Sequence, residues 1–350
     1  MRTHARKSFR ATIIVSVMLT PAAAACAPHT GSASAGATSS AASTSSSAGP
    51  ASSPTPGPKI TAKSSVPAPS DKVIVGSYRE LLGMSAAQAQ ALRRKELGRS
   101  DRIVSTYYAW TDKLPRSFPG LPANAIPMVS WRGTSYQDII DGSQDSLIRA
   151  SAKALAAYGK PVLLRFAWEM NGHWFNWGGP RNPSGAKGFV QAWRHVHDIF
   201  AKAGATNVSW VWCVNWNNNP DTRANDARLY YPGNAYVDWI GVDGFSDSGE
   251  SPQVLFGPFY QAFANLGKPL MIAETGVAKS DKGRSAPGAE GAWIGSLATW
   301  MKQHPAVRAL VWFDTDQSAQ INGTTNWRID AHPGELSAYR HVVNDPYFGG

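Results

Sequence analysis

The feature that most constrains the fold is a repeat of short apolar runs that alternate with amphipathic segments over residues 72–350. The runs are rich in β-branched and aromatic residues and end in polar or glycine-containing loops, a pattern typical of buried strands. We therefore predict eight strands. They cover residues 72–78, 102–110, 125–131, 161–169, 208–216, 237–245, 269–276 and 307–314.

The segments between the strands have helical periodicity with start and stop signals. Helices are predicted over residues 85–97, 143–158, 185–203, 251–266 and 287–303. Alternating strands and helices indicate a parallel sheet with helical crossovers. Eight such units in one domain, residues 71–350, favour an α/β fold of the (β/α)₈ TIM-barrel type over an open sheet. In such barrels the functional site lies at the carboxyl ends of the strands.

The first 25 residues have the layout of a secretory signal peptide. Four basic residues precede the apolar run 11–19, and a small-residue stretch ends at Cys26. The run is too short to span a bilayer. Residues 23–26, Ala-Ala-Ala-Cys, resemble a bacterial lipobox, although that motif favours Leu where Ala23 stands. We predict that Cys26 is acylated after cleavage, with an ordinary signal peptide as the alternative.

Residues 26–70 are almost entirely Ser, Ala, Thr, Pro and Gly, and they contain no aromatic residue. Such a segment buries too little apolar surface to offset the entropy of ordering, so we predict a disordered linker. Its expected use is a tether. The expected location is therefore extracellular, at the outer face of the cell membrane, with membrane contact only through the lipid on Cys26.

Charge and motif content exclude several classes of function. The formal net charge of +10 falls to +6 (10 − 4) without the signal peptide, and the remaining basic residues are scattered, so no nucleic-acid partner is predicted. His195 and His197 are two positions apart on a predicted helix and do not share a face, so no metal site is predicted. Residues 178–180 lack the strand-turn-helix context of a phosphate loop. We expect a monomer without a cofactor, in which Cys213 is a buried small residue.

The predicted strand ends are unusually rich in tryptophan and polar residues. Half of the fourteen Trp residues lie at or just after these ends, which a large aromatic core does not require. Sugar rings present flat C–H faces that stack on aromatic rings, and their hydroxyls need a few placed polar groups. The pattern therefore indicates a carbohydrate site. Its candidate residues are Trp110, Trp131, Trp168, Trp174, Trp177, Asn215, Trp216, Asp243, Phe245, Trp312 and Asp314.

Two glutamates, Glu169 and Glu274, close predicted strands four and seven. Each alone could be a structural partner for an arginine such as Arg165. Strands four and seven lie nearly opposite each other in a barrel, so the two carboxyl groups are placed to flank a glycosidic bond. Retention of configuration needs them about 5–5.5 Å apart, and inversion about 6.5–9.5 Å.

Segments 165–172, 231–245 and 269–276 resemble glycoside hydrolase family 26, the β-mannanase family of the retaining barrel clan, and the likeness extends over residues 72–350. The resemblance implies an endo-acting β-glycosidase, with β-1,4-mannan as the first substrate. It assigns Glu169 as acid/base and Glu274 as nucleophile, with Arg165 bracing the carboxylates.

The resemblance also implies where the sugars bind. Trp312 corresponds to the aromatic platform under the attacked sugar, and Trp174 and Trp177 correspond to neighbouring subsites. His173 lies in the loop after Glu169, where it is placed to touch substrate. Asn215 and Asp243 either bind sugar hydroxyls or only shape turns.

Two departures keep the substrate open. The family usually has His directly before the acid/base, where this chain has Trp168, and often has Tyr at the end of strand six, where it has Phe245. The alternatives within enzymes are β-1,3-1,4-glucan, β-1,3-xylan or an exopolysaccharide. The alternative of another class is a non-catalytic carbohydrate-binding lipoprotein that feeds a transporter, which needs the Trp platforms but not two opposed glutamates.

Overall fold

The computed structural model describes residues 64–278, 288–318 and 325–350. The predicted signal peptide, Cys26, linker residues 26–63 and the predicted helix start at Pro287 lie outside the described residues.

Eight parallel strands form a closed barrel in the described part of the chain, which confirms the predicted (β/α)₈ fold. Each strand pairs with the next, and β8 closes on β1. The strands are β1 (Ile74–Glu80), β2 (Ile103–Tyr108), β3 (Ile126–Trp131), β4 (Val162–Phe166), β5 (Val208–Asn215), β6 (Trp239–Ser246), β7 (Leu270–Val277) and β8 (Val307–Thr315). The largest difference from the prediction is β4, which ends at Phe166 and not at Glu169.

Seven α-helices lie among the described residues, and five of them were predicted. They are α1 (Ala86–Leu97), α2 (Tyr136–Ile140), α3 (Asp145–Tyr158), α4 (Gly185–Lys202), α5 (Pro252–Phe263), α6 (Ala289–Gln303) and α7 (Glu335–Val343). Sequence periodicity missed α2 and α7 because five and nine residues are too few to establish a helical period. None of the described helices is long and apolar enough to cross a membrane.

Strand alternation sorts side chains between the barrel interior and the helix layer. On β4, Arg165 points inward and contacts Ser130 of β3, whereas Phe166 points outward to Trp193 of α4. The main core lies between strands and helices, where α4 buries a face formed by Phe189, Trp193, Val196 and Phe200. Consecutive residues of a strand therefore have different functions.

A buried charge network joins α1 to β8 in this outer layer. Asp314 accepts hydrogen bonds from Arg79 at 2.9 Å and from Arg93 at 2.8 Å. Arg93 also pairs with Asp330 at 2.9 Å. Asp314 is fully buried and its partners are arginines, so its prediction as a residue of the carbohydrate site is wrong.

The start of the described chain packs against the amino-terminal ends of β5 and β6. The hydroxyls of Ser64 and Ser65 lie 2.9 Å from that of Ser209, and the Trp239 indole donates to the Val66 carbonyl at 2.9 Å. Residues 64–66 thus belong with the barrel, although their composition assigned them to the linker. They lie at the end opposite the carboxyl ends of the strands.

Candidate active site

Glu169 and Glu274 meet at the carboxyl end of the barrel. Glu274 is in β7, and Glu169 follows β4 by three residues. Their exposed fractions are 7% and 6%, and burial together with the negative charge of Glu274 raises the pKa of Glu169. The two carboxyl groups are therefore close enough to interact, at the end of the barrel where the sequence placed them.

The backbone around Glu169 is twisted away from regular strand geometry. Ala167 and Glu169 have φ angles of +43° and +54°, in the left-handed region that non-glycine residues rarely occupy. The Ala167 amide still donates to Trp131 of β3, and the Glu169 amide donates to Cys213 of β5. Local strain of this kind costs about 1–3 kcal/mol per residue and is often found at functional sites.

Trp174 holds the Glu169 carboxyl group. Its indole N–H donates to Oε2 of Glu169 at 2.7 Å. Gly172 makes room for the ring, because a Cβ at this position would lie 2.3 Å from Cζ2 of Trp174. The prediction placed Trp174 in a sugar subsite, and its half-buried ring lies beside Glu169.

The surroundings of Glu169 favour its neutral form. Burial and the charge of Glu274 together raise the pKa of Glu169 from 4.5 to about 8, against the opposing effects of the Trp174 hydrogen bond and of Arg165. A carboxyl group with this pKa is mainly protonated near neutral pH, as a general acid must be.

We expect kcat/KM to fall as the pH rises through about 8, because only protonated Glu169 can donate a proton. Trp174→Phe removes a donor that stabilises the charged form of Glu169, so this pKa rises further and the basic limb of the profile moves to higher pH. Trp177→Phe is the matched control, since its indole donates to a carbonyl. A limb that stays in place in Trp174→Phe contradicts this assignment.

Arg165 is the centre of the site's charge network. Its Nη1 donates to both carboxylate oxygens of Asp243 at 2.9 Å, and its Nη2 donates to Oε1 of Glu274. Its Nε donates to Ser130 at 3.0 Å, and its guanidinium lies 5.0 Å from the Trp168 ring centroid. These contacts fix the orientation of Glu274 and balance its charge, the bracing that the resemblance implied.

Asp243 lies beneath the site and not in contact with substrate. It is fully buried, and Cys213 Sγ lies 3.2 Å from its Oδ1 in addition to the two contacts with Arg165. The sugar-binding function considered for Asp243 is therefore wrong, and its function is to anchor the arginine. Asn215 donates its amide to Asn217 at 2.6 Å, and its contact with substrate stays a prediction.

Tyr107 of β2 is a site residue that the sequence analysis missed. Its hydroxyl donates to Oε1 of Glu274 and lies 3.2 Å from Nη2 of Arg165. Burial and the charge of Glu274 raise the Tyr107 pKa well above 10, so the hydroxyl remains a donor. Phe245 carries no hydroxyl that could bond to Glu274, and Tyr107 supplies such a hydroxyl from β2. The available signal in the sequence was Ser105, a polar residue two positions earlier and so on the same, inward face of β2.

Tyr107→Phe is expected to lower kcat/KM about ten- to hundredfold, because a hydrogen bond to a charged group contributes about 1.5–3 kcal/mol. Tyr108→Phe is the matched control, since its side chain lies on the opposite face of β2. Steady-state kinetics of both variants, with circular dichroism to check folding, measure the effect. Equal rates in the two variants would exclude this function for Tyr107.

Three of the predicted platform tryptophans are buried away from the mouth. Trp131 stacks on Trp110 at 4.4 Å, and Trp312 packs on Trp293 and Tyr339 of the helix layer. The exposed fractions of Trp131 and Trp312 are 0% and 1%. Trp177 is also buried and stacks on Phe175 at 4.2 Å. The predicted sugar contacts of Trp131, Trp177 and Trp312 are therefore wrong. Trp131 and Trp312 point outward from their strands, and Trp177 packs behind Trp168.

Other aromatic side chains line the barrel mouth in their place. Phe245 is half-buried and packs on Phe313 and Trp327, at ring separations of 5.4 and 4.8 Å. Tyr78 stacks on Phe313 at 5.0 Å and contacts Tyr107 edge-on at 4.8 Å. The walls around the two glutamates are thus aromatic, as a sugar site requires.

Trp168 and His173 lie next to Glu169 and Trp174 respectively. Trp168 lies 5.4 Å from the Tyr107 ring and covers Arg165. His173 is half-buried with a buried Nδ1 that has no hydrogen-bond partner, so it is free to receive one from a ligand. Among the described residues no group of three or more His, Cys, Asp or Glu side chains is placed to hold a metal ion.

Comparison with known proteins identifies relatives of this site. Residues 128–284 match the family model of glycosyl hydrolase family 26. Endoglucanase H of Acetivibrio thermocellus is 32% identical over 263 residues, 70% of this chain and 28% of that protein. Mannan endo-1,4-beta-mannosidase A and B of Caldalkalibacillus mannanilyticus is 30% identical over 156 residues, 43% of this chain. This chain spans 28% of the length of each of these two relatives.

Solved structures support the fold assignment. The mannanase BCman of Bacillus subtilis superposes with a TM-score of 0.54 at 21% identity, over 77% of this chain and 85% of that one. The match of the family model, which contains Arg165, Glu169 and Glu274, agrees with the barrel and with the sequence relatives. The family model, the sequence relatives and the barrel fold together support glycosyl hydrolase family 26 for residues 128–284 of this chain.

Proposed function

We propose that this protein is a retaining, endo-acting β-glycosidase that hydrolyses β-1,4-mannan. One observation carries the proposal: two carboxyl groups share one aromatic mouth and have different surroundings. Glu169 is kept neutral, with a pKa of about 8, and Glu274 is ion-paired with Arg165. Pairs of this kind divide acid and nucleophile functions between two similar side chains.

The first step forms a covalent intermediate. Protonated Glu169 gives its proton to the glycosidic oxygen as the bond to the anomeric carbon breaks, and Glu274 attacks that carbon from the opposite face. Arg165 and Tyr107 orient the attacking carboxylate. Trp174 steadies the charge left on Glu169 after proton transfer.

The second step releases the sugar. Ionised Glu169 takes a proton from water, and the water oxygen attacks the anomeric carbon as its bond to Glu274 breaks. Glu169 regains its proton and Glu274 its charge, so the site returns to its starting state. Two inversions at one carbon leave the product in the β configuration.

A β-glucan is the second candidate substrate. The match to Endoglucanase H covers 70% of this chain, whereas the match to the mannosidase covers 43%. The two departures from the family pattern lie at the mouth: Phe245 is half-buried there, and Trp168 is buried against Tyr107 and Arg165.

A panel of soluble glycans tests the function. Release of reducing ends is measured on β-1,4-mannan, β-1,3-1,4-glucan, β-1,3-xylan and a bacterial exopolysaccharide, with Glu274→Ala as the blank. We expect turnover on mannan and a rapid fall in viscosity, the mark of internal cleavage. Binding to a glycan without turnover on any of them would instead support a carbohydrate-binding lipoprotein.

We also propose that Cys26 carries a lipid and that residues 26–63 tether the barrel outside the cell. Support comes from the position of Ser64 and Ser65, which contact the end of the barrel opposite the glutamates. A tether entering there leaves the mouth facing away from the membrane. Cys26→Ser should release the protein from the membrane fraction, and unchanged fractionation would contradict acylation.

A further inference from the structure

A second cavity lies on the flank of the barrel, between the β5–β6 connection and α5. Its volume is about 560 Å³. Its walls come from the end of β5, from the following loop and from one side of α5. They include Trp216, Asn217, Asp221, Val254, Phe259 and Gln261.

Strand parity separates this cavity from the two glutamates. Cys213 points inward to Asp243, whereas Trp212 points outward to Phe263 of α5. Val214, which lines the cavity, has the outward parity of Trp212. Asn215, which has the inward parity of Cys213, lines only the edge of the cavity next to the catalytic mouth, so the cavity lies mainly on the outer side of β5 and beside that mouth.

Trp216 is unlike the other tryptophans of this chain. Of the fourteen, all within the described residues, it alone has neither an aromatic neighbour nor a hydrogen-bond partner for its indole N–H there. Its ring is half-buried at the cavity wall. An aromatic side chain with an unused N–H is suited to a ligand that offers both an apolar face and acceptors.

The polar groups of the cavity are also available. Asn217 uses its Oδ1 to accept from Asn215, which leaves its amide hydrogens unused. Asp221 and Gln261 are exposed and have no hydrogen bond or ion pair within the described ranges. The cavity thus offers donors and acceptors beside a flat aromatic ring.

Exposed apolar surface continues the wall. Val254 on α5 is 50% exposed, and Leu229, next to the lining residue Arg228, is 52% exposed. They are two of the four large apolar residues of the described chain that are exposed. A ligand resting on them removes this surface from water.

The cavity belongs to the same rigid rim as the acid/base. The Asn171 amide donates to the carbonyls of Asn215 and Asn217, at 2.9 and 3.1 Å. Asn171 follows Glu169 by two residues. A chain bound in the cavity is therefore held at a constant position relative to the mouth.

We propose that this cavity is an accessory saccharide-binding site, which holds part of a polysaccharide outside the catalytic mouth. The proposal rests on the proposed function for the identity of its ligand. Trp216 stacks on the C–H face of a sugar ring, and Asn217, Asp221 and Gln261 bind its hydroxyls. This accessory site makes the protein bind polymers more tightly than short oligosaccharides.

The test measures binding in the full chain carrying Glu274→Gln, so that the ligand is not consumed. Trp216→Ala removes the ring, and Val254→Arg fills the cavity from an exposed helix position. Affinity electrophoresis in soluble β-mannan and β-1,3-1,4-glucan gives the dissociation constants. We expect both variants to bind the polymer about three- to tenfold more weakly. Ala157→Arg, at an exposed position of α3, adds the same charge elsewhere and should bind unchanged.

Kinetics of the active chain separate this site from the mouth. With Trp216→Ala or Val254→Arg, kcat/KM should fall on the polymer and stay unchanged on a short oligosaccharide. Unchanged affinity for the polymer, or an equal loss on short substrates, would overturn the accessory site and leave the proposed function standing. A wild-type chain that binds polymer without cutting it overturns the proposed function, while the binding comparison still decides the accessory site.

Discussion

Glu274→Ala is expected to lose roughly four to six orders of magnitude in kcat, as in other enzymes that lose a nucleophile. No other described carboxylate is held by both Arg165 and a tyrosine hydroxyl. The variant should remain folded, because Arg165 keeps its two bonds to the fully buried Asp243. The measurement is the steady-state rate on the glycan that the wild type hydrolyses.

Azide distinguishes loss of the nucleophile from general damage. In Glu274→Ala a small anion can occupy the vacated space and attack the anomeric carbon once, so an aryl glycoside should give the azide product in the α configuration. Glu335→Gln is the control, since it changes a buried carboxyl group of α7 outside the barrel mouth. Near-normal turnover in Glu274→Ala, or equal loss in the control, would refute the assignment.

Glu169→Ala is expected to have the second-largest effect, a loss of roughly 10²- to 10⁴-fold on polysaccharide. Loss of the acid matters only where the leaving oxygen needs a proton. Aryl glycosides with a strongly acidic phenol should therefore still form the intermediate, and a burst of phenol should precede slow turnover. Rapid-mixing absorbance measures the burst.

The product of azide rescue also assigns this residue. With Glu274 intact, azide replaces water in the second step and needs no general base, so Glu169→Ala should give the β-configured azide. The two variants are thus expected to give products of opposite configuration. An α product from Glu169→Ala would mean that Glu274 does not form the intermediate.

The barrel and the two glutamates could be predicted from the sequence because both depend on local patterns. Apolar runs and helical periods define elements wherever they occur, and eight repeats leave few architectures. Glu169 and Glu274 each follow an apolar run directly, and barrel geometry brings strands four and seven to one mouth. Arg165 lies four residues before Glu169 and was placed with the carboxylates by resemblance.

The identity of the sugar-facing aromatics depended on side-chain direction. Trp131 is adjacent to inward-facing Ser130, and Trp312 is adjacent to inward-facing Phe313, so both point to the helices. A strand buried on both faces has apolar residues at every position, and its composition does not reveal which parity faces the axis. If the assumed parity of a strand is shifted by one residue, the side chains assigned to the barrel mouth and those assigned to the helix layer change places.

Sequence alone determined the closed barrel and the location of the two glutamates at its carboxyl end, because strand order and strand ends follow from local periodicity. Tertiary structure alone decided that Tyr107 reaches Glu274, that Asp243 is buried beneath Arg165, and that Glu169 sits on a twisted segment beyond β4. These contacts join residues on different strands. Their distances depend on stagger, side-chain parity and backbone strain, and these properties arise only when the barrel closes.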